Sequence, residues 1–208
     1  MLEKSIDQFT SELSSGAPVP GGGGASALAG ALSASLASMV GNLTSGKKKY
    51  AEYQEEIEQI IDKSVSLSKE FEALIEKDAE VFEPLSKAYG IPKDDPGRDE
   101  LLEKCLMDAA SAPRQMVARS EEAALILERL ADIGSRLAIS DVGTAAALCS
   151  AAAKGAAMNV YINTKLLKDR ETADKINAEV DIKVSNITRI CDEVYSKVEL
   201  GLKERKQA

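Results

Sequence analysis

Apolar positions recur every three or four residues along almost the whole chain, and no stretch alternates with period two between turn residues. The pattern predicts helices throughout. Leu2, Ile6, Phe9 and Leu13 mark a short amphipathic helix closed by "SSGAPVPGGGG". A second helix is expected from about Ala25 to Ser45, with a heavy stripe of Leu28, Leu32, Leu36, Met39/Val40 and Leu43. Its other faces carry Ala, Ser and Gly, which let neighbouring backbones approach closely, so it reads as central and surrounded. "KKKYAEYQEEIEQIIDKSVSLSKEFEALIEKDAEVFEPLSKAYG" predicts one long helix bent near Pro84, which has no N–H to give. The loop "IPKDDPGRDE" follows, then a helical stretch broken near Pro113. "AISDVGTAAALCSAAAKGAAMNVYINTKLLKD" predicts a second Ala-rich helix with Ser140 or Asp141 as its N-cap. The last helix, about Glu171 to Lys206, carries an apolar stripe at Ile176, Val180, Ile187 and Val194. The expected fold is a single all-α domain, 1–208: an antiparallel up-and-down bundle with two Ala/Ser/Gly-rich inner helices.

Composition narrows the chemistry. The chain has 208 residues, no Trp, few aromatics and a net charge of −8. That charge argues against a nucleic-acid partner, whose first footprint is a basic patch, but leaves room for a small anion held by a local lysine cluster. Histidine is absent, which removes Ser-His-Asp and Cys-His nucleophiles and Glu-x-x-His metal sites. Proton transfer then falls to Asp, Glu, Lys, Tyr, Cys or water. Three scattered cysteines, none in a Cys-x-x-Cys pair, point to reduced thiols in a cytoplasmic protein and to no metal site. The acidic, amphipathic N-terminus is not a signal peptide. No charge falls between Glu12 and Lys47, yet Ser26, Ser33, Ser35, Ser38 and Asn42 interrupt the run, so no membrane span is expected.

Four places carry candidate chemistry. "PGGGGAS" lacks the Gly-Lys-Ser/Thr ending of a phosphate loop, and no strand precedes it as a dinucleotide fingerprint requires. It offers free N–H groups at a helix N-terminus, or else a tight turn onto a crowded helix; the residues leave both open. Asp78 falls four residues after Leu74 and four before Phe82, which puts a carboxylate on an apolar stripe where desolvation raises its pKa. A buried, paired structural Asp fits the same pattern. Asn159 and Asn163 lie one turn apart in "AAMNVYIN", placed to hold a heterocycle by donor and acceptor pairs or to bond across to a neighbouring helix. Lys47, Lys48 and Lys49 either complement a helix C-terminus or receive carboxylates.

In order and spacing, "APVPGGGGASALAGAL", "MVGNLTSGKKKY", "DAEVFEPLSKAYGIPK", "AASAP" and "SRLAISDVGTAAALCSAAAKGAAMNVYINTKLLKDR" resemble the cyclodeaminase/cyclohydrolase family of folate one-carbon enzymes, over about residues 16–170. The resemblance implies an all-helical homodimer acting on tetrahydrofolate that carries one carbon, with no cofactor beyond that substrate. Three features favour the branch that hydrolyses 5,10-methenyltetrahydrofolate to 10-formyltetrahydrofolate over the ammonia-releasing cyclodeaminase branch. The glycine loop reads "PGGGGAS", Ser135 stands where deaminases carry Asn, and the helical domain is expected to stand without a fused formiminotransferase domain. By resemblance, Asp78 is the first candidate for acid–base catalysis and Asp141 the second. Substrate would meet Pro20, Gly21, Gly22, Gly23, Gly24, Ser140, Asn159 and Asn163, with Lys47 and Lys48 on its glutamate tail.

Overall fold

The computed structural model describes residues 2–204, and its order is α1 (Ile6–Leu13), α2 (Gly22–Thr44), α3 (Gln54–Tyr89), α4 (Arg98–Ala109), α5 (Ser111–Ile133), α6 (Ile139–Thr164) and α7 (Arg170–Lys203). Short 3₁₀ turns at Lys48–Tyr53 and Arg136–Ala138 lead into α3 and α6. No strand occurs among the described residues, and the class is all-α as the periodicity predicts. Lys206 of the expected last helix lies outside the described residues.

Side-chain pairs fix the directions of the helices. Ser35 meets Ser68 and Gly41 meets Ile61, so α2 and α3 are antiparallel. Ser33 Oγ donates to Ala145 O at 2.8 Å while Gly22 lies against Asn159, so α2 and α6 are antiparallel too. The ion pairs Arg129–Glu56 and Arg119–Glu70 set α5 antiparallel to α3. Tyr161–Asp181 and Gly143–Val198 do the same for α6 and α7, and Arg114–Glu179 with Lys197–Asp132 makes α5 and α7 parallel.

Several helix boundaries differ from expectation for local reasons. α2 starts at Gly22, so three of the four glycines are its first turn. The break near Pro113 falls at Ala110, and Pro113 sits in the first turn of α5, where its missing N–H costs nothing. Neither Ser140 nor Asp141 caps α6; the cap position is Ala138, with no side-chain bond, because the 3₁₀ turn winds straight into the helix. α1 begins after a Ser5–Gln8 capping box. It buries only Phe9, while Ile6 is 83% exposed.

α2 is not surrounded. Its buried face is Gly23, Ala27, Gly30, Ala31, Ala34, Ser38 and Gly41, whereas Leu32 (48%), Met39 (39%) and Leu43 (47%) remain exposed. Close packing explains the inversion: a Cβ on Gly30 would lie 2.5 Å from Phe71 Cδ1, and one on Gly41 would lie 2.6 Å from Ile61 Cγ1. Small residues therefore fill most of the face between α2 and its neighbours, with Val40 the one large apolar side chain buried there, while Leu32 and Leu43 are turned outward and Leu28 and Leu36 are half-buried. The helix is long and apolar enough to cross a membrane by length and composition, but that apolarity includes the small face packed on α3, α5 and α6. Gly30→Ala tests the fit. Helix propensity would gain up to about 1 kcal/mol, but overpacking costs roughly 1–3 kcal/mol, and the fully buried Phe71 ring has nowhere to retreat. A net loss of up to about 2 kcal/mol in urea denaturation is the expected result.

Candidate functional site

Where α2 begins, four segments converge on a cleft of about 230 Å³. The 18–23 segment contributes Pro18, Val19 and Gly21–Gly23, α3 gives Asp78 and Phe82, the α4–α5 corner gives Ala109 and Pro113, and α6 gives Asn159, Ile162 and Asn163. Larger cavities exist, such as one of about 490 Å³ on the other side of Pro18 and Val19. That one is lined by exposed and half-buried α3 side chains and lacks convergent amides, backbone donors and a desolvated, half-buried acid such as Asp78, which define a binding site better than volume does.

The cleft is built by missing side chains. Gly21 caps α2 without a side-chain hydrogen bond. In its place Asp78 reaches across from α3 and accepts the Gly24 N–H, acting as a cap supplied by a neighbouring helix. A Cβ on Gly23 would lie 2.5 Å from Asp78 Cγ, and one on Gly22 would meet Asn159 Nδ2 at 3.4 Å. Gly155 makes the same allowance on α6, where any Cβ would strike the Ser26 hydroxyl. Ser26 Oγ in turn donates to Gly22 O at 2.7 Å. Burial pushes the Asp78 carboxyl above its ordinary value of 3.8, and the Gly24 N–H opposes that rise only in part.

Asn159 and Asn163 each spend one N–H on their own helix, donating at 2.8 Å to Gly155 O and Asn159 O respectively. Each amide keeps its oxygen and a second N–H for the cleft. The site therefore holds an acid that takes up protons readily, helix-terminal N–H donors, and two amides, between the apolar walls of Val19, Phe82 and Ile162. It is equipped to bind a flat polar heterocycle and to move a proton at its edge.

The remaining predicted residues are elsewhere. Pro20 is buried behind the glycines, its ring 3.3 Å from a Cβ placed on Gly24. Lys47 and Lys48 lie beyond the other end of α2, about 33 Å from Gly22 by helical rise. There Lys47 Nζ donates to Ser135 Oγ at 2.9 Å, and the Ser135 N–H donates to Thr44 Oγ1 at 2.8 Å. Tyr50 accepts the Arg136 N–H at 3.2 Å; that bond, with the charges of Lys49 and Arg136, holds its phenol below the usual value. Ser140 and Asp141 share this end, in the first turn of α6. Asp141 is thus about 27 Å along α6 from Asn159, and one chain does not bring the two aspartates together. Sequence reasoning did not pick out the walls Val19, Phe82, Pro113 and Ile162, or the Tyr50–Ser135–Arg136 corner. The signals that were present lay in Phe82 on the stripe of Asp78, Pro113 in "AASAP", Ser135 in "SRLAISD" and the "KKKY" run.

Comparison with known proteins matches both the sequence and the fold. The sequence profile described as Formiminotransferase-cyclodeaminase matches residues 5–182. A methenyltetrahydrofolate cyclohydrolase of Methylorubrum extorquens is 35% identical over 199 residues, covering 94% of this chain and 96% of its own length. The formimidoyltransferase-cyclodeaminase of Sus scrofa is 30% identical over 191 residues, which cover 90% of this chain but 35% of that protein. The crystal structure of a formiminotetrahydrofolate cyclodeaminase from Thermotoga maritima superposes with a TM-score of 0.84 at 29% identity, covering 95% of this chain and 98% of that one.

Proposed function

Because the chain belongs to the formiminotransferase-cyclodeaminase family, we propose that the cleft at the start of α2 hydrolyses 5,10-methenyltetrahydrofolate to 10-formyltetrahydrofolate. One observation carries the reading: a carboxylate with a raised pKa, held against a glycine helix start and facing two amides. It occurs in a chain that matches a methenyltetrahydrofolate cyclohydrolase along nearly the full length of both.

The substrate is an amidinium-like cation whose electrophilic carbon lies between N5 and N10. Asp78 takes a proton from water as its oxygen attacks that carbon, giving a neutral tetrahedral adduct. As the adduct collapses, the C–N5 bond breaks and the electron pair goes to N5. Asp78 returns its proton there, while the remaining hydroxyl proton leaves to solvent and the formyl group stays on N10. A raised pKa suits both halves of this exchange, because one group must accept and then donate near neutrality. Asn159 and Asn163 hold the pterin edge, and the first-turn N–H groups of α2 face its carbonyl oxygen. The reading requires no metal and no cofactor beyond the folate.

The same reading takes the protein to be cytoplasmic, to act away from membranes, and to work as a homodimer. The outward apolar face of α2 supports the dimer, as does the neighbouring face of α6 with Met158 and Ile162 exposed. α2 carries no charged residue, and α6 carries only Asp141 and Lys154.

Offering purified protein both substrates tests the reaction. The expected result is loss of methenyl absorbance well above the spontaneous rate, with no ammonia from 5-formiminotetrahydrofolate. Ammonia release would move the protein to the sister activity, which the Thermotoga maritima relative's name favours. Tight folate binding without acceleration would make it a binding module.

A further inference from the structure

One turn beneath the cleft, Ser26 and Gly155 are poor choices for the helices they occupy. Gly155 lies in the interior of α6, where glycine is disfavoured because folding removes more backbone freedom from it than from alanine. Ser26 is buried in α2 and gives its hydroxyl to the carbonyl four residues back, a bond that competes with helix geometry instead of adding to it. Alanine at either position would make the better helix. Each choice is explained by the other. A Cβ on Gly155 would lie 2.3 Å from Ser26 Oγ and 3.3 Å from Ser26 Cβ; outside its own helix it would meet no other atom within 4 Å among the described residues. The side chain that α6 lacks is the space that the Ser26 hydroxyl fills. Local rules broken in matched pairs mark places where geometry matters more than stability.

Both partners also hold the group that stands one turn above them. Ser26 Oγ donates to Gly22 O at 2.7 Å, and Gly155 O accepts the Asn159 amide N–H at 2.8 Å. Gly22 and Asn159 both line the cleft and meet directly, since a Cβ on Gly22 would stand 3.4 Å from Asn159 Nδ2. Gly22, Ser26, Gly155 and Asn159 thus form a closed brace, with a hydrogen bond along each helix and a contact between the helices at top and bottom. Asn163 follows the brace, because its amide donates to Asn159 O at 2.8 Å. Asp78 stands outside it and reaches the start of α2 from α3.

We propose that Ser26 and Gly155 are positioning residues: they set the spacing of α2 and α6 beneath the cleft, and through it the register of the Asn159 and Asn163 amides on the bound heterocycle. Neither touches a reacting atom. Their effect falls on substrate affinity, whereas the Asp78 carboxylate, held from α3, governs the chemical step. That the heterocycle is a pterin rests on the folate reading; the brace does not.

Gly155→Ala tests the brace directly. The added methyl group drives the Ser26 hydroxyl off Gly22 O or α6 off α2, and the amides further along α6 shift with it. The expected result is a KM for methenyltetrahydrofolate raised about tenfold, the scale of one misaligned hydrogen bond, with kcat within about twofold of wild type. Ser26→Ala alone removes the hydroxyl and adds nothing, so it should raise KM by no more than about threefold. Ser26→Ala/Gly155→Ala should return KM to the Ser26→Ala value, because the new methyl then meets only the Cβ at position 26, at 3.3 Å. Such suppression marks a direct coupling between the two positions, which general loosening of α6 would not produce. Should Gly155→Ala fail to fold, the double variant still carries the test: it must fold and match Ser26→Ala. An unchanged KM in Gly155→Ala, a loss confined to kcat, or a double variant worse than Gly155→Ala overturns the proposal. Calorimetric titration with 5-formyltetrahydrofolate, which has the pterin but not the reacting cation, reads the same pattern as Kd without turnover. If that pattern holds and wild-type protein does not hydrolyse methenyltetrahydrofolate, the hydrolase reading fails and the brace stands. If hydrolysis holds and the pattern is absent, the brace alone fails. Wild-type protein that binds no folate overturns the positioning role together with the folate reading.

Discussion

Asp78→Asn, assayed on 5,10-methenyltetrahydrofolate, is expected to lower kcat by about 10²–10⁴-fold, the usual contribution of a positioned acid–base group, while thermal stability holds or rises. The two readouts belong together because Asp78 does two things. As a cap it accepts the Gly24 N–H, and Asn is as good a cap as Asp, so the helix start keeps its partner. As a base it must ionise in a site where burial pushes its pKa above 3.8. The stability linked to that shift is full below the unfolded value and is lost as pH rises through the higher folded value. At neutral pH the wild-type carboxylate is therefore held at a cost, and the amide removes it. The same shift sets the acid limb of kcat/KM, which falls as pH drops through the Asp78 pKa. That limb should lie above the ordinary aspartate value of 3.8 and vanish in Asp78→Asn. Asp78→Ala loses cap and base together and should also lower the Tm. A fully active Asp78→Asn protein would reduce Asp78 to its capping role.

The parts of the fold set by periodicity were legible. The stripe Ile176, Val180, Ile187 and Val194 on α7 is buried as expected, and Asp78, Asn159, Asn163 and the glycines meet in one cleft. What misled was the assumption that large apolar residues turn inward. On α2 the direction of the core depends on how near Phe71, Ile61 and α6 come, and that distance is not written in the α2 sequence. The helix start was placed three residues late for a related reason. Three glycines cost roughly 1 kcal/mol each in helix propensity, and the residue that caps them is more than fifty positions away on α3. The separation of Lys47 and Asp141 from Asp78 is equally invisible to motif reading, because a motif list carries no axial distance. Helical rise turns one apparent site into two ends.

Gly23→Ala carries the second large effect, and it reaches the chemistry without touching a reactive group. Gly23 is buried at the second helical position of α2, a position where alanine is normally preferred by close to 1 kcal/mol. Its added Cβ would lie 2.5 Å from Asp78 Cγ and nearer still to both carboxylate oxygens. Something must move, and the short Asp78 side chain is the softer partner, since the Gly23 backbone is held in a helix. The carboxylate then leaves the Gly24 N–H and swings away from the place where water meets the one-carbon centre. A displacement of about 1 Å at a reacting group is enough for roughly a 10²-fold loss in rate. The expected outcome is a drop of that order in kcat, with a folded protein by circular dichroism and a small change in Tm. Gly16→Ala, whose Cβ meets nothing within 4 Å, should be indistinguishable from wild type. Combining Gly23→Ala with Asp78→Asn gives the sharper result. If Gly23 acts only by making room for the carboxylate, the double variant is no slower than Asp78→Asn alone, because a misplaced base and an absent base are the same defect. Full multiplication of the two losses would instead mean that the glycine backbone contacts the substrate on its own account.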